Sequence, residues 1–243
     1  RKKERKKERK KERKKEREKF GVWYIMGLMS DIIEPAIIGL EDNIFVDGVE
    51  DIVSNAKVYG LRNSLRVSGF PMRVDKDFKE ELVKTLNRGK KLGHYNSGTG
   101  EDNFLCGVIV QFDLNIPIKM WTEFQRYHFA DIISSQSSVH KILNMEVNMF
   151  DGLTPTLAIE AFYQLKEEYK INPTPDNYVK LLMAIPSGLK LCAGVTTNYR
   201  QLKTMYNQRK NHKLPQWREF CKWILTLPYF KELTGLGDDE NDR

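Results

Sequence analysis

Cysteine is scarce in this chain: Cys106, Cys192 and Cys221 are its three thiols, far apart, odd in number and without a CxxC pair. That argues against a disulfide framework and a structural zinc site, and it points to a reducing, cytoplasmic setting. Long apolar runs are missing too. Charges, Gly or Pro interrupt each run well short of the about 18 residues a membrane helix needs, and no apolar h-region opens the chain. The sequence therefore reads as soluble, unexported and free of membrane association. HExxH and GxxxxGK[ST] do not occur, no Cys-His-Asn or Ser-His-Asp arrangement can be read from spacing, and no metal ligand set is expected. The Gly98-Thr99-Gly100 that follows His94 is too short for a dinucleotide fingerprint.

What is present is enough apolar residue for a packed core. With 243 residues, 40% of them apolar and 11% aromatic, the chain can build one large domain or two small ones. Its formal charge of +7 is unevenly placed: residues 1–19 hold nine Lys and five Arg against five Glu, so the remainder is slightly negative. RKKERKKERKKERKKEREK repeats every four residues and sets Glu4, Glu8, Glu12 and Glu16 in one like-charged column. The expected organisation is a basic low-complexity arm at 1–19, solvated by default and at most a weak contact for nucleic acid, followed by a domain over 20–243.

Within that domain, Phe20 to Gly48 shows no clear period. Asp75 or Asp77 can cap a helix with Phe78, Leu82, Val83 and Leu86 on one face and Gly89 as its stop. Gly93 to Asn103 reads as a glycine-rich loop, and LCGVIVQFDLN as a buried strand. IPIKMWTEFQRYHFADII predicts a helix whose Ile118, Trp121, Gln125, His128 and Ile132 share a face, broken by Ser134 to Ser138. Thr154-Pro155 and Thr174-Pro175 each read as a cap with Pro at the first helical position, opening helices toward Tyr169 and Ile185. PQWREFCKWILTLP supplies the last helix before an acidic tail. Many helices, a few strands and no βαβ repeat predict an α+β domain with helices packed on a small sheet.

The segment TTNYRQLKTMYNQRK, Thr196 to Lys210, sets an arginine on an apolar stripe. As a helix it places Asn198, Leu202, Met205 and Arg209 on one side, with Arg200 and Asn207 nearly opposite. Taken singly, Arg209 is a cation favoured by the helix C-terminus, His128 a satisfied core histidine, and Trp121, Trp217 and Trp223 core residues. Two distant elements stand out together: Arg126-Tyr127-His128, and Asn198-Tyr199-Arg200-Gln201-Leu202 followed by Asn207-Gln208-Arg209 and Gln216-Trp217.

This combination resembles the flavin-dependent thymidylate synthase family from about Asn55 to Trp223, with Gly93-His94 and Ile116-Pro117-Ile118 as further matches. The resemblance implies FAD as cofactor, NADPH and methylenetetrahydrofolate as co-substrates, a pyrimidine deoxynucleotide as substrate, and a homotetramer. It implies Arg209 as the catalytic group that lies against the pyrimidine and favours its ionised form. Flavin contacts fall on His94, Arg126, Tyr127, His128, Asn198, Arg200 and His212. Substrate contacts fall on Glu123, Arg126, Ser137, Ser138, Lys180 and Arg209.

Several positions depart from the family's pattern. Tyr127 and His128 replace His and Arg of an Arg-His-Arg signature, and SSQSSVH replaces the family's phosphate-holding Ser-x-Arg-Tyr, leaving Ser137, Ser138, His140 and Lys141 as donors. Cys106-Gly107 stands where the family has Glu-His. Lys180 keeps a charge but lacks an arginine's fork. Glu123 stands for a glutamine, and a carboxylate only accepts, which favours a sugar hydroxyl or the amino group of cytosine as its partner. The expected function is C5 modification of a pyrimidine deoxynucleotide, dUMP to dTMP or hydroxymethylation of dUMP or dCMP. The alternative is an inactive relative that binds nucleotide or nucleic acid, or serves as a structural subunit.

Overall fold

Alternation along Ile109–Pro117 organises the molecule. The computed structural model describes residues 44–49, 51–75 and 81–237. Five strands, β1 (Ile44–Val46), β2 (Val53–Tyr59), β3 (Ile109–Pro117), β4 (Asp131–Ser135) and β5 (Lys190–Asn198), form one antiparallel sheet in the order β1-β2-β3-β5-β4. β3 pairs with β5 along its whole length, from Ile109 opposite Asn198 to Pro117 opposite Lys190. Every second residue of the two strands turns to one face: Val110, Phe112, Leu114 and Ile116 from β3 and Ala193, Val195 and Thr197 from β5 are buried.

The helices are α1 (Leu61–Val67), α2 (Leu82–Gly93), α3 (Ile118–Phe124), the short α4 (Ser138–Lys141), α5 (Thr156–Ile171), α6 (Pro175–Met183), α7 (Tyr199–Arg209), α8 (Pro215–Ile224) and α9 (Phe230–Thr234). Helices and a small antiparallel sheet make the fold α+β, as the sequence predicts. α8 buries Trp217, Phe220, Cys221, Trp223 and Ile224. Its Trp223 and Phe220 rings lie 4.9 and 5.8 Å from Phe112 of β3, so the aromatic core joins α8 to the sheet. Truncating one such side chain to Ala costs about 3–5 kcal/mol. Trp121, Trp217 and Trp223 are all core residues, 7%, 0% and 1% exposed. A second cluster of Ile142, Met145, Phe150, Phe162, Leu181 and Leu189 joins α5 and α6.

Several expected boundaries move. α2 begins at Leu82 after Glu81, while Asp77 and Phe78 lie outside the described residues. It also runs through Gly89 to Gly93 instead of stopping. A Cβ on Gly89 would stand 2.4 Å from Leu65 Cδ2, and one on Gly93 would stand 1.9 Å from the Leu233 carbonyl oxygen. Those glycines admit α1 and α9 closely, so their role is packing. The helix predicted through Ile132 ends at Phe124; Ile132 instead pairs with Val195, and Ser134 and Ser135 extend the strand they were expected to break. Pairing with β5 outweighs the helical period there, which a β-branched Ile132-Ile133 favours. His128 consequently sits exposed in the connecting turn, not on a core-facing helix. The cap of α5 is Pro155 instead of Thr154, whereas Thr174 caps α6 as expected, accepting from Asn177 N. Strand β5 replaces the helical projection before Asn198, and the part of Phe20 to Gly48 that is described contributes β1. The arm at 1–19 lies outside the described residues.

Candidate active site

Strand β5 passes into α7 without a loop because Asn198 serves both. It ends the strand opposite Ile109, and its side-chain oxygen accepts a hydrogen bond from Gln201 N at 2.9 Å, an N-cap. The helix then buries Leu202 and Met205 fully and delivers Arg209, its last residue, to the molecule's rim. On the other side α3 buries Phe124, and Tyr127 N bonds back to Phe124 O at 3.1 Å. That turn projects Arg126, Tyr127 and His128 away from the helix.

The two elements meet around a cavity of about 320 Å³, walled by Arg126, Tyr127, His128 and Phe129 on one side and by Gln201, Thr204, Gln208 and Arg209 on the other. Arg209 Nε donates to the Tyr127 hydroxyl at 2.9 Å and Nη1 to Glu123 Oε2 at 2.8 Å. Tyr127 in turn donates to Gln208 Oε1 at 2.9 Å. The guanidinium also lies over the Trp217 ring, 4.8 Å from its centroid, where cation–π attraction helps hold it. Glu123 Oε2 accepts from Trp217 Nε1 at 3.1 Å and lies 3.2 Å from His212 Nε2. His212 Nδ1 accepts from Leu214 N at 3.1 Å, which leaves Nε2 as the ring's donor toward Glu123. Arg209 is thus a fixed cation with an acidic partner, both largely shielded: their side chains are 17% and 20% exposed. Directly behind it, burial pushes the Cys221 thiol up to about 12 against the opposing pull of Arg209, so this cysteine is no nucleophile.

Six other expected site residues stand away from the cavity walls. His94 follows the last turn of α2, with Nε2 3.0 Å from the Glu232 carbonyl. Asn198 is taken up by its cap. Arg200 Nε donates to Asp102 Oδ1 at 3.0 Å. Ser137 caps α4, accepting from His140 N at 3.2 Å, and Ser138 begins that helix. Lys180 is exposed on α6, with Nζ 3.4 Å from Asn177 Oδ1. Glu123 and His212 back Arg209 without lining the cavity.

Sequence reasoning missed the centre beside Arg200. Asp102 is fully buried and receives Lys203 Nζ at 3.2 Å as well as Arg200. Lys203 also donates to the Gly93 and Tyr95 carbonyls at 2.8 and 2.5 Å, closing the C-terminal end of α2. The available signal was Lys203 beside Leu202 on an otherwise apolar face, but nothing in the spacing names an acid about 100 residues earlier. Gln216, read as part of a motif, donates to Asp151 Oδ2 at 2.7 Å beside a second cavity of about 360 Å³ lined by Pro117, Met120, Thr154, Pro186 and Leu214. Among the described residues no cluster of three or more His, Cys, Asp or Glu is placed to hold a metal ion, and no helix is long and apolar enough to cross a membrane.

No protein-family profile matches this sequence, and no curated protein matches it. Solved structures do. A flavin-dependent thymidylate synthase from Helicobacter pylori, complexed with FAD and dUMP, aligns with a TM-score of 0.57 at 15% identity, over 73% of this chain and 94% of that one. Another structure of thymidylate synthase X from Helicobacter pylori, with FAD and dUMP, aligns with a TM-score of 0.60 at 13% identity, over 73% and 93%. At that identity the likeness is one of fold.

Proposed function

We propose that this chain is a cytoplasmic flavin-dependent enzyme of the thymidylate synthase type, modifying C5 of a pyrimidine deoxynucleotide with methylenetetrahydrofolate and NADPH as co-substrates. The observation that carries the reading is the meeting of Arg126, Tyr127 and His128 with Arg209 around one cavity, in a fold shared with proteins whose structures contain FAD and dUMP. Its walls fit such ligands chemically. Arg126 and His128 are exposed donors for phosphate, Gln201, Thr204 and Gln208 offer hydrogen bonds, and Tyr127 and Phe129 offer ring faces. At about 320 Å³ the cavity lies at the small end of the about 300–1,000 Å³ usual for ligand pockets, enough for one nucleotide portion but not a dinucleotide. A homotetramer would supply the remaining surface for FAD from a neighbouring copy, with the half-buried Ser137 and Ser138 and the exposed Lys180 as donors.

When bound, reduced flavin supplies the transfer of the folate methylene, which no side chain provides. The chain's own residues orient and polarise. Arg209, fixed by Tyr127, Glu123 and Trp217, presents its remaining N–H donors to the base without reorganising, and Arg126 anchors the phosphate side. One feature favours the alternative of an inactive, nucleotide-binding relative: Arg200, expected at the flavin, is engaged by Asp102.

The test is the purified protein's own spectrum. A flavin absorption band near one FAD per chain, and thermal stabilisation by added FAD, are the expected results. A colourless protein that FAD does not stabilise contradicts the enzyme reading.

A further inference from the structure

We infer that Phe129 is the stacking platform of the cavity, the side chain against which a planar heteroaromatic ring of a phosphate-bearing ligand is laid. This rests on the reading that the cavity takes such a ligand, a flavin or a pyrimidine nucleotide. Three observations carry it: where the ring stands, how free it is, and how firmly its backbone is held.

Of the residues that wall the cavity, Tyr127 and Phe129 are the aromatic ones, and the chain uses them differently. Tyr127 meets the Phe124 and Trp217 rings edge-on, with centroids 6.4 and 6.1 Å away, and the Arg209 guanidinium lies 5.7 Å from its centroid. That ring packs the chain against itself. Phe129 is 66% exposed, and among the described residues no ring or cation packs on it. A single exposed apolar side chain needs no explanation on most surfaces. Phe129 differs because it stands on a cavity wall, between the donors of its own turn and the polar side chains of α7.

Its main chain is anchored while its ring is not. Thr197 Oγ1, from a buried residue of β5, donates to the Phe129 carbonyl at 2.7 Å, and the next residue, Ala130, is buried before Asp131 pairs with Thr196. A side chain with two torsions on a fixed backbone loses little freedom when a ligand covers it. The same turn supplies what a ring face lacks, since Arg126 and His128 are exposed donors suited to phosphate. The facing residues, Gln201, Thr204, Gln208 and Arg209, include no ring. A ligand that joins a flat ring to a phosphate thus finds its apolar face and its donors on one turn. Stacking tolerates any flat heterocycle, so the platform specifies a planar ring and not a particular base.

Titration of the full chain with FAD and, separately, with dUMP, at neutral pH and fixed salt, tests this in the unaltered chain and in Phe129→Ala, Phe129→Leu and Phe129→Trp. Phe129→Ala and Phe129→Leu should each weaken at least one of the two ligands by about tenfold, the scale of one aromatic stack, whereas Phe129→Trp keeps the affinity of the unaltered chain. The ligand that loses affinity identifies whose ring is stacked, the flavin's or the pyrimidine's. Leucine binding as tightly as phenylalanine, or tryptophan as weakly as alanine, means that no stacking occurs and overturns the inference. So does a Phe129→Ala chain that sediments at a lower mass, because a second copy then covers the ring. If both ligands bind and Phe129→Ala changes neither, the inference fails while the reading beneath it stands. If neither ligand binds the unaltered chain, both fall together.

Discussion

Helix α7 carries a basic cluster at each end, and the two are built differently. Near its start, Arg200 and Lys203 converge on Asp102, which has no exposed surface, and Lys203 also satisfies two backbone carbonyls. That cluster is completed inside the chain. At the other end Arg209 is held by Glu123, Tyr127 and Trp217, yet it still walls a cavity. The same residue type on one helix therefore serves cohesion at one end and, on the proposed function, recognition at the other. What decides is whether the partner acid is sealed off or stands at a rim.

The difference can be broken most severely at Asp102. Asp102→Ala leaves Lys203 buried without its acid and should cost about 3–5 kcal/mol in urea unfolding, the range for deleting one partner of a buried ion pair. Gly93→Ala attacks the junction that Lys203 closes. The added Cβ meets a backbone oxygen of α9 that cannot step aside, so a loss of about 1–3 kcal/mol is expected from the same measurement.

Around Arg209, the effects on stability near neutral pH should be smaller. Cys221 loses its proton near 9 when unfolded but only near 12 in the folded chain, so its contribution is complete below pH 9 and is lost as pH rises toward 12. The unfolded chain binds fewer protons in that window, so stability should fall by up to about 1.4 kcal/mol per pH unit, a slope that Cys221→Ala should flatten. Tyr127→Phe removes the hydroxyl that accepts from Arg209 and donates to Gln208. It should cost about 1 kcal/mol in unfolding while weakening nucleotide binding, measured by titration.

Residues whose role depends on local spacing could be read from the sequence. Thr174 before Pro175 is a cap because a side-chain oxygen three residues ahead of a free N–H is a local matter, whereas Asn198, expected on the helix stripe and at the flavin, proves to be the cap of α7. The Leu202, Met205, Arg209 stripe also follows from the helical period alone. Residues whose role depends on a distant partner could not be read so. The period through Ile118, Trp121 and Gln125 continues formally to Ile132, but β5 lies about 60 residues downstream, and its pairing turns that stretch into a strand. Gly89 resembles a helix stop until Leu65 and Leu233 are seen against it. Arg200 and Arg209 look equivalent in the sequence, since Asp102 and Glu123, the acids that distinguish them, are far from both along the chain.

The most direct test of this division is FAD affinity, followed by quenching of flavin fluorescence in the unaltered chain and in Arg126→Ala and Arg200→Ala, each checked for unaltered folding. Arg126→Ala should weaken FAD by about tenfold or more, the loss of one charge-assisted contact, while Arg200→Ala keeps the affinity of the unaltered chain. A loss of FAD in Arg200→Ala as large as in Arg126→Ala would contradict the assignment of cohesion to one end of α7 and recognition to the other.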